Sequence, residues 1–216
     1  MRINKYLALN LNTSRREADK LIKNNLIKVN GNEAKLGQLV DESDVLTYKN
    51  EVINSITEHK YYKFYKPKNY TSSRTSQGNS KTMYELINNK NLKYSGRLDK
   101  DSEGLMLLST DGDWLNINAH PSKEVSKKYI VTTDIEDIDL AIFQKRINDN
   151  KEKLMLYSMN KIKKYQYAVT LKTGKNREIR RIFEYNNVKI TNLKRISIGK
   201  QTLGNMKIGE LKEIKK

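Results

Sequence analysis

Between Gly96 and Leu108 the chain reads Gly-Arg-Leu-Asp-Lys-Asp-Ser-Glu-Gly-Leu-Met-Leu-Leu. Glycines at 96 and 104 bracket a polar loop, and the loop feeds an apolar run, Leu105–Leu108. That run reads as a buried strand. A carboxylate held by such a loop against such a strand has a fixed orientation on a rigid element. Of the acids nearby, Asp99 alone has an apolar neighbour, Leu98, and an arginine, Arg97, two residues before it. The residues by themselves leave two readings open: a catalytic carboxylate, or a turn-forming or solvated loop aspartate.

Around this segment the chain divides in two. Ser14-Arg15-Arg16-Glu17 has the spacing of a capping box, with Ser14 as N-cap. Ala18, Leu21 and Ile22 follow at helical spacing, and Ile3, Leu7 and Leu11 line one face of a shorter helix before it. Ile27–Val29 alternates, Asn30-Gly31 is a tight-turn dipeptide, and Asp44–Tyr48 reads as a closing strand. Residues 1–48 therefore form a small accessory unit, and 49–60 read as a polar linker. From 61 to 216 the expected strands are Tyr61–Lys66 (stopped by Pro67), Leu105–Thr110 (closed by Asp111-Gly112), Lys128–Thr133, Tyr165–Leu171, and short pieces at Val188–Thr191 and Arg195–Ile198. Thr71–Ser80 reads as a loop, and helices are expected at Ile135–Gln144 and Arg177–Tyr185. Strands and helices mix without regular βαβ alternation, which favours an α+β fold with a largely antiparallel sheet.

Charge sets the partner class. Forty-two basic residues against twenty-five acidic give +17, and a polyanion is the first partner to test. The surplus is uneven: residues 1–31 hold seven basic and two acidic side chains, 32–58 two and six, and 161–195 eleven and two. Two basic patches about an acidic stretch look like two contact surfaces, although an AT-rich genome also inflates lysine without function. With no cysteine and only His59 and His120, disulfides, thiol catalysis, Cys-ligated zinc and His-rich metal sites are excluded. No apolar run approaches the ~18–20 residues that cross a bilayer, and Met1–Lys5 is not followed by a signal-peptide apolar core. The expectation is a soluble, cytoplasmic monomer.

Two further segments carry chemistry. In Thr173–Phe183, Gly174 and Asn176 permit a tight turn into a helix whose start carries Lys175 and Arg177. Ile179, Ile182 and Phe183 share a face that buries, flanked by Arg180 and Arg181, and an arginine at such an edge can pair a carboxylate and keep it ionised. A solvated basic helix is the competing reading. His120-Pro121, followed by Lys127-Lys128-Tyr129, offers an aromatic on a strand, either a core tyrosine or a base-stacking one.

Together these segments resemble the bacterial ribosomal RNA pseudouridine synthases with an N-terminal S4-like RNA-binding module, the RsuA/RluB/RluE/RluF family. RINKYLALNLNTSRREADKLI and VNG are similar to the module's helices and hairpin. GRLDKDSEGLMLLSTDG resembles the catalytic motif, GKNREIRRIFE the arginine motif, and SKKYIV the strand carrying the active-site tyrosine. The resemblance covers 1–48 and 60–211, and it implies that Asp99 is the nucleophile. It implies equally that Tyr129 lies against the target uracil, that Ile179 packs under it, that Arg180 forms the salt bridge orienting Asp99, and that Arg97 helps fill the gap left by the extruded nucleotide. Arg177, Lys175 and, on the module, Arg15, Arg16 and Lys20 would bind RNA. Lys66-Pro67-Lys68-Asn69 departs from the family's lysine–proline–x–glycine loop by an asparagine, and Ser102 stands where threonine is common.

The reaction so implied isomerises uridine to pseudouridine without net redox change, so neither cofactor nor metal is expected. The implied partner is ribosomal RNA, free or in a pre-ribosomal particle. RREADKLI and GRLDKDSEGL look most like the large-subunit branch, with the small-subunit branch or a tRNA side substrate left open. The competing class is a non-catalytic RNA-binding or ribosome-assembly protein that retains the fold; basic patches alone do not separate the two.

Overall fold

Ile3, Leu7, Ala18 and Ile22 are all but sealed from solvent in the computed structural model of the chain, which describes residues 1–216 apart from 56, 57, 77, 90 and 120. They sit on α1 (Ile3–Asn10) and α2 (Arg15–Lys23). Ser14 caps α2, its Oγ accepting from the Glu17 N–H at 3.0 Å, while the Glu17 carboxylate meets Lys20 Nζ at 3.0 Å. β1 (Ile27–Val29) and β2 (Asn32–Glu33) close on Asn30-Gly31, whose φ angles of +51° and +83° are both left-handed, as a type I′ turn demands.

With β3 (Leu46–Tyr48) and β4 (Glu51–Val52) these make a four-stranded sheet in the order β2-β1-β3-β4. β4 corrects the reading of 49–60 as linker. Lys49 and Asn50 turn the chain with positive φ, β4 pairs with β3, and Ile53 joins the core of Ile3, Leu7, Ile27 and Leu46. The compact unit runs to His59. The segment looked like linker because Glu51 and Val52 are both exposed on their strand and the turn before them has no glycine.

The second compact unit is Lys60–Lys216. Its strands are β5 (Tyr61–Lys66), β6 (Lys93–Ser95), β7 (Glu103–Ser109), β8 (Lys127–Thr133), β9 (Ile147–Asp149), β10 (Glu152–Leu154), β11 (Ser158–Lys163), β12 (Gln166–Leu171), β13 (Ile190–Ile198), β14 (Gln201–Thr202) and β15 (Leu211–Ile214). Its helices are α3 (Gly112–Ala119), α4 (Leu140–Phe143) and α5 (Glu178–Tyr185). One sheet runs β11-β12-β8-β13-β7-β5-β15, with β6 on β7 and β14 on β13, and β9–β10 form a separate hairpin. β7 and β13 run parallel; the other pairings in the sheet are antiparallel. The fold is α+β with a helix-bearing N-terminal unit and a mixed sheet.

β7 explains the apolar run. Met106 and Leu108 face a core shared with Phe64, Val131, Val169 and the α5 residues Ile182 and Phe183. Leu105 and Leu107 face another with Tyr65, Trp114 and Leu115. A strand covered on both sides has no solvent face and so no alternation; each buried leucine contributes about 1.5–3 kcal/mol.

Other expectations change with tertiary context. The helix expected at Ile135–Gln144 shrinks to α4, because the backbone at 135–138 is engaged by β12 and its neighbours. Ile138 N–H donates to the Tyr167 hydroxyl, and Glu136 C=O accepts from it. Asp111 does close β7, but as the cap of α3, its Oδ1 accepting from Asp113 and Trp114 N–H. The two short strands near 188–198 are one strand, β13, bent by irregularities at 190/192 and 195/197. His120, noted with Pro121, lies outside the described residues.

Candidate active site

The loop 96–102 is tied down from three directions. From below, Gly104 and Arg195 face each other in the parallel β7–β13 pairing. The Arg195 side chain then crosses under the loop, Nε donating to Leu105 C=O at 2.7 Å and Nη1 to Arg97 C=O at 3.4 Å. From one side, the buried Ser72 hydroxyl donates to Leu98 C=O and accepts from Leu98 N–H, at 2.7 and 3.1 Å. From the other, Lys66 at the end of β5 is fully buried, and its ammonium donates to Ser102 C=O at 2.7 Å and Pro67 C=O at 2.9 Å. Burial, then Arg195, pulls the Lys66 pKa down to about 8, against the opposing pull of Asp101, Asp99 and Glu103. Asn69, where the family pattern has glycine, adopts φ +68° and donates its N–H to Lys100 C=O at 2.7 Å. Asparagine tolerates that left-handed conformation.

Asp99 emerges from this loop into a cavity of about 300 Å³. Tyr129 on β8, Ile179 on α5, Leu171 and Leu193 give it apolar walls; Arg97, Lys175, Arg177, Arg180, Lys127 and Arg195 give it charge. Every proposed site residue of the second unit therefore shares one cavity. Asp99 is about one-third exposed and Tyr129 is buried at 7%, so the carboxylate stands at the mouth and the ring lies within.

The ion pairing differs from the arrangement that the family resemblance implied. Asp99 meets Arg177, not Arg180: Arg177 Nη1 is 3.6 Å from Asp99 Oδ2 and 3.5 Å from Asp101 Oδ1. Arg180 Nη2 pairs instead with Asp101 Oδ2 at 3.2 Å and donates to Ser102 Oγ at 3.1 Å and Asp101 C=O at 3.2 Å. The reason lies in the start of α5. Arg177 is its N-cap residue with φ +47° and ψ +31°, and it lies one helical turn before Arg180, which grips the far end of the loop. The left-handed residue of this turn is thus Arg177 rather than Gly174 or Asn176. Arg180 is mostly buried, burial lowers its pKa with Asp101 opposing, and its Nε is buried with no hydrogen-bond partner among the described residues. Glu178 caps the preceding turn, accepting from the Thr173 hydroxyl at 2.7 Å and Lys175 N–H at 3.1 Å.

Such a cavity can hold a planar ring between apolar walls with an anchored carboxylate at its edge. Ser72, Lys127 and Arg195 were missed by sequence reasoning. Lys127 had a usable signal, since alternation places it on the same strand face as Tyr129; Ser72 and Arg195 act across 26 and 90 residues of sequence and have no local signature. Arg15, Arg16 and Lys20 lie exposed on α2, in the first compact unit, and are not among the cavity's lining.

Residues 60–185 match the RNA pseudouridylate synthase family. The chain belongs to that family. Residues 1–46 match the S4 domain. Among curated relatives, an uncharacterized RNA pseudouridine synthase of Borreliella burgdorferi is 34% identical over 98% of this chain and 88% of its own length. Ribosomal small subunit pseudouridine synthase A of Haemophilus influenzae is 28% identical, over 92% and 89%. A pseudouridylate synthase crystal structure superposes with a TM-score of 0.71 at 26% identity, covering 100% of this chain and 96% of that one. Asp99, at the cavity's mouth in the loop between β6 and β7, lies within the residues that the family match covers.

Proposed function

We propose that this family member converts a specific uridine of ribosomal RNA to pseudouridine, with Asp99 as nucleophile. The observation that carries the reading is Asp99 itself: a carboxylate on a loop held by Ser72, Lys66 and Arg195, paired with Arg177 at 3.6 Å, at the mouth of a cavity walled by Tyr129 and Ile179. The guanidinium of Arg177 supplies that carboxylate with a counter-charge. The base must leave its helix to reach the cavity, at a cost of ~ a few kcal/mol, and contact with Tyr129 and Ile179 offsets ~1–3 kcal/mol of it. Arg97, exposed at the loop's start, fills the space the nucleotide vacates. Arg180 acts on Asp99 through the loop, by fixing Asp101 and Ser102.

Lys175 and Arg177 in the synthase unit and Arg15, Arg16 and Lys20 on α2 take RNA phosphates. For single strands the log of affinity then falls with the log of salt at roughly −0.7 per neutralised phosphate. Within this reading the target lies in the large subunit, supported by RREADKLI and GRLDKDSEGL, and the enzyme works as a monomer in the cytoplasm without cofactor. The decisive experiment maps pseudouridines in ribosomal RNA from cells with the gene, without it, and with Asp99→Asn. One site, in large-subunit RNA, present only with the unaltered gene, is the expected result. Retention of the site in the Asp99→Asn strain removes the nucleophile assignment, and a lost small-subunit site reassigns the target. The non-catalytic reading requires an unchanged map with RNA binding intact.

A further inference from the structure

Two of the cavity's cations are buried and form no ion pair among the described residues. Lys127 is 6% exposed and Arg195 2%, and both line the cavity. The carboxylates around them have other partners: Asp99 and Asp101 meet Arg177 and Arg180, and Glu178, whose charge reaches Lys127 through space, is bonded to the Thr173 hydroxyl and Lys175 N–H. Among the described residues neither Lys127 nor Arg195 forms an ion pair. Their hydrogen bonds are to neutral groups and leave donors over. Lys127 Nζ donates to Thr173 C=O at 3.1 Å and Val125 C=O at 3.3 Å, two of its three N–H groups. Arg195 gives Nε to Leu105 C=O, Nη1 to Arg97 C=O at 3.4 Å and Nη2 to the Met106 sulfur, so two of five N–H groups remain and one partner is a weak acceptor. A buried cation without a partner is costly, and holding two of them beside one cavity needs a reason.

Their place in the sheet supplies it. Arg195 stands opposite Tyr129 in the β13–β8 pairing, and Lys127 stands opposite Leu171 in the β8–β12 pairing. The cations therefore share the strands that form the apolar walls for the base. Resting on the pseudouridine synthase reading, we propose that Arg195 and Lys127 form a cationic floor that receives a carbonyl oxygen of the flipped uracil and stabilises the negative charge the base takes up during the reaction. When the N1–C1′ bond breaks, its electron pair passes to the base, which becomes a uracil anion with charge spread onto its carbonyl oxygens, while the electron-poor sugar is met by the Asp99 carboxylate. The turned base then bonds through C5 to C1′ as the C1′–O bond to Asp99 breaks and the carboxylate is released, and it loses the C5 proton and gains one at N1, so that atoms and charge balance. Preorganised donors in a site shielded from water act most strongly where charge develops.

The test uses the full-length protein and ribosomal RNA lacking the modification, in single turnovers at saturating enzyme. Arg195→Met and Lys127→Met are expected to slow isomerisation by about 10²–10³-fold, the loss typical of one such donor, with RNA Kd within about threefold. Arg195→Lys, which keeps the charge but not the bonds to Leu105 and Arg97, is expected to be at least about tenfold faster than Arg195→Met. Equal rates for those two variants, or RNA affinity falling in step with rate, overturns the proposal in favour of a scaffold or phosphate role. If Arg195→Met does not fold, Lys127→Met decides alone, and a rate equal to wild type overturns it. A second readout needs no turnover: 5-nitrouracil, an anion at neutral pH, should bind the wild type more tightly than uracil, and both Met variants should lose that preference. Preference without pseudouridine formation retires the functional reading and keeps the anion floor; pseudouridine formation without preference does the reverse.

Discussion

Gly104→Ala is expected to damage both the stability and the chemistry of the synthase unit, for a reason that can be separated from simple loss of a glycine. Gly104 has φ +116°, and a Cβ there would lie 2.3 Å from the carbonyl oxygen and 2.6 Å from the nitrogen of Arg195. Both are backbone atoms, and carbon–oxygen contacts need about 3.3 Å, so β7 and β13 would have to part by about an ångström at their parallel pairing. Overpacking of this kind costs about 1–3 kcal/mol, and the backbone conformation adds about 1–3 kcal/mol for a residue other than glycine. A middle value near ~4 kcal/mol lowers the melting temperature of a domain this size by roughly 8–16 °C. Gly96→Ala is the control: it shares a positive φ, +65°, but its Cβ would come no nearer than 4.0 Å to Arg195 Nη1. It therefore bears only the conformational cost, roughly 1–2 kcal/mol. Scanning calorimetry of both variants, with single-turnover isomerisation at 20 °C, reads the difference. Should Gly104→Ala melt within about 2 °C of Gly96→Ala and keep its rate, the strands do not approach as described, and Arg195 is not seated by that contact.

Lys66→Met tests the buried ammonium. With its folded pKa near 8 and an ordinary value of 10.5, Lys66 holds fewer protons folded than unfolded between those values, so its contribution to stability rises with pH across that window. Wild type should gain about 2 kcal/mol on Lys66→Met between pH 7.5 and 9.5 in urea titrations; parallel pH profiles would show that the amine is solvated. Ser14→Ala should cost the first unit about 1 kcal/mol, visible as faster amide exchange in α2; unchanged exchange would mean that the 3.0 Å bond to Glu17 N–H is not kept in solution. Arg181 holds the β9–β10 hairpin to α5 through Asp149 and Glu152, so Arg181→Ala should speed exchange at 147–154 by tenfold or more while the central sheet keeps its protection. Uniform change across the sheet would contradict a local clamp. Arg177→Gly relieves a left-handed φ of +47° worth roughly 1–2 kcal/mol, less about 0.4–1 kcal/mol for the freer unfolded chain. Its melting temperature should hold or rise while activity falls, and the opposite pairing would make Arg177 a structural cap only.

What the sequence disclosed was local or periodic. Ser14 before an amphipathic run, Asn30-Gly31 between alternating residues, and the Leu105–Leu108 run each carry their conformation within a few residues, and each is found in place. Failures arise where a distant partner decides. Residues 135–138 have helical amphipathicity, yet Tyr167 takes their backbone groups, and tertiary hydrogen bonds outweigh propensity. Asn150-Lys151 turns the β9–β10 hairpin with both φ positive, a turn no glycine announces. Within the site, the residue types were legible and the pairing was not. Arg177 and Arg180 are equally basic in sequence, and the left-handed cap at 177 is what lets Arg177 reach both Asp99 and Asp101 while Arg180 pairs with Asp101 only.

The same features bear on whether this unit only binds RNA. A basic surface costs little, because solvated lysines such as those that dominate this chain remain hydrated, and a lysine-rich genome supplies them without selection for function. The cavity is different in kind. In and around it are Lys127 and Arg195, buried with no ion pair among the described residues, the buried Lys66 bonded to two backbone carbonyls, a left-handed arginine at a helix cap and, on Arg180, a guanidinium N–H with no partner among the described residues. Each lowers stability, and each could be relieved by one substitution without loss of the exposed charges that grip phosphate. Costs gathered around one carboxylate are what a site built to stabilise transient charge requires. A protein that only holds RNA has no physical use for them, and stabilising substitutions here should therefore remove turnover before they remove binding.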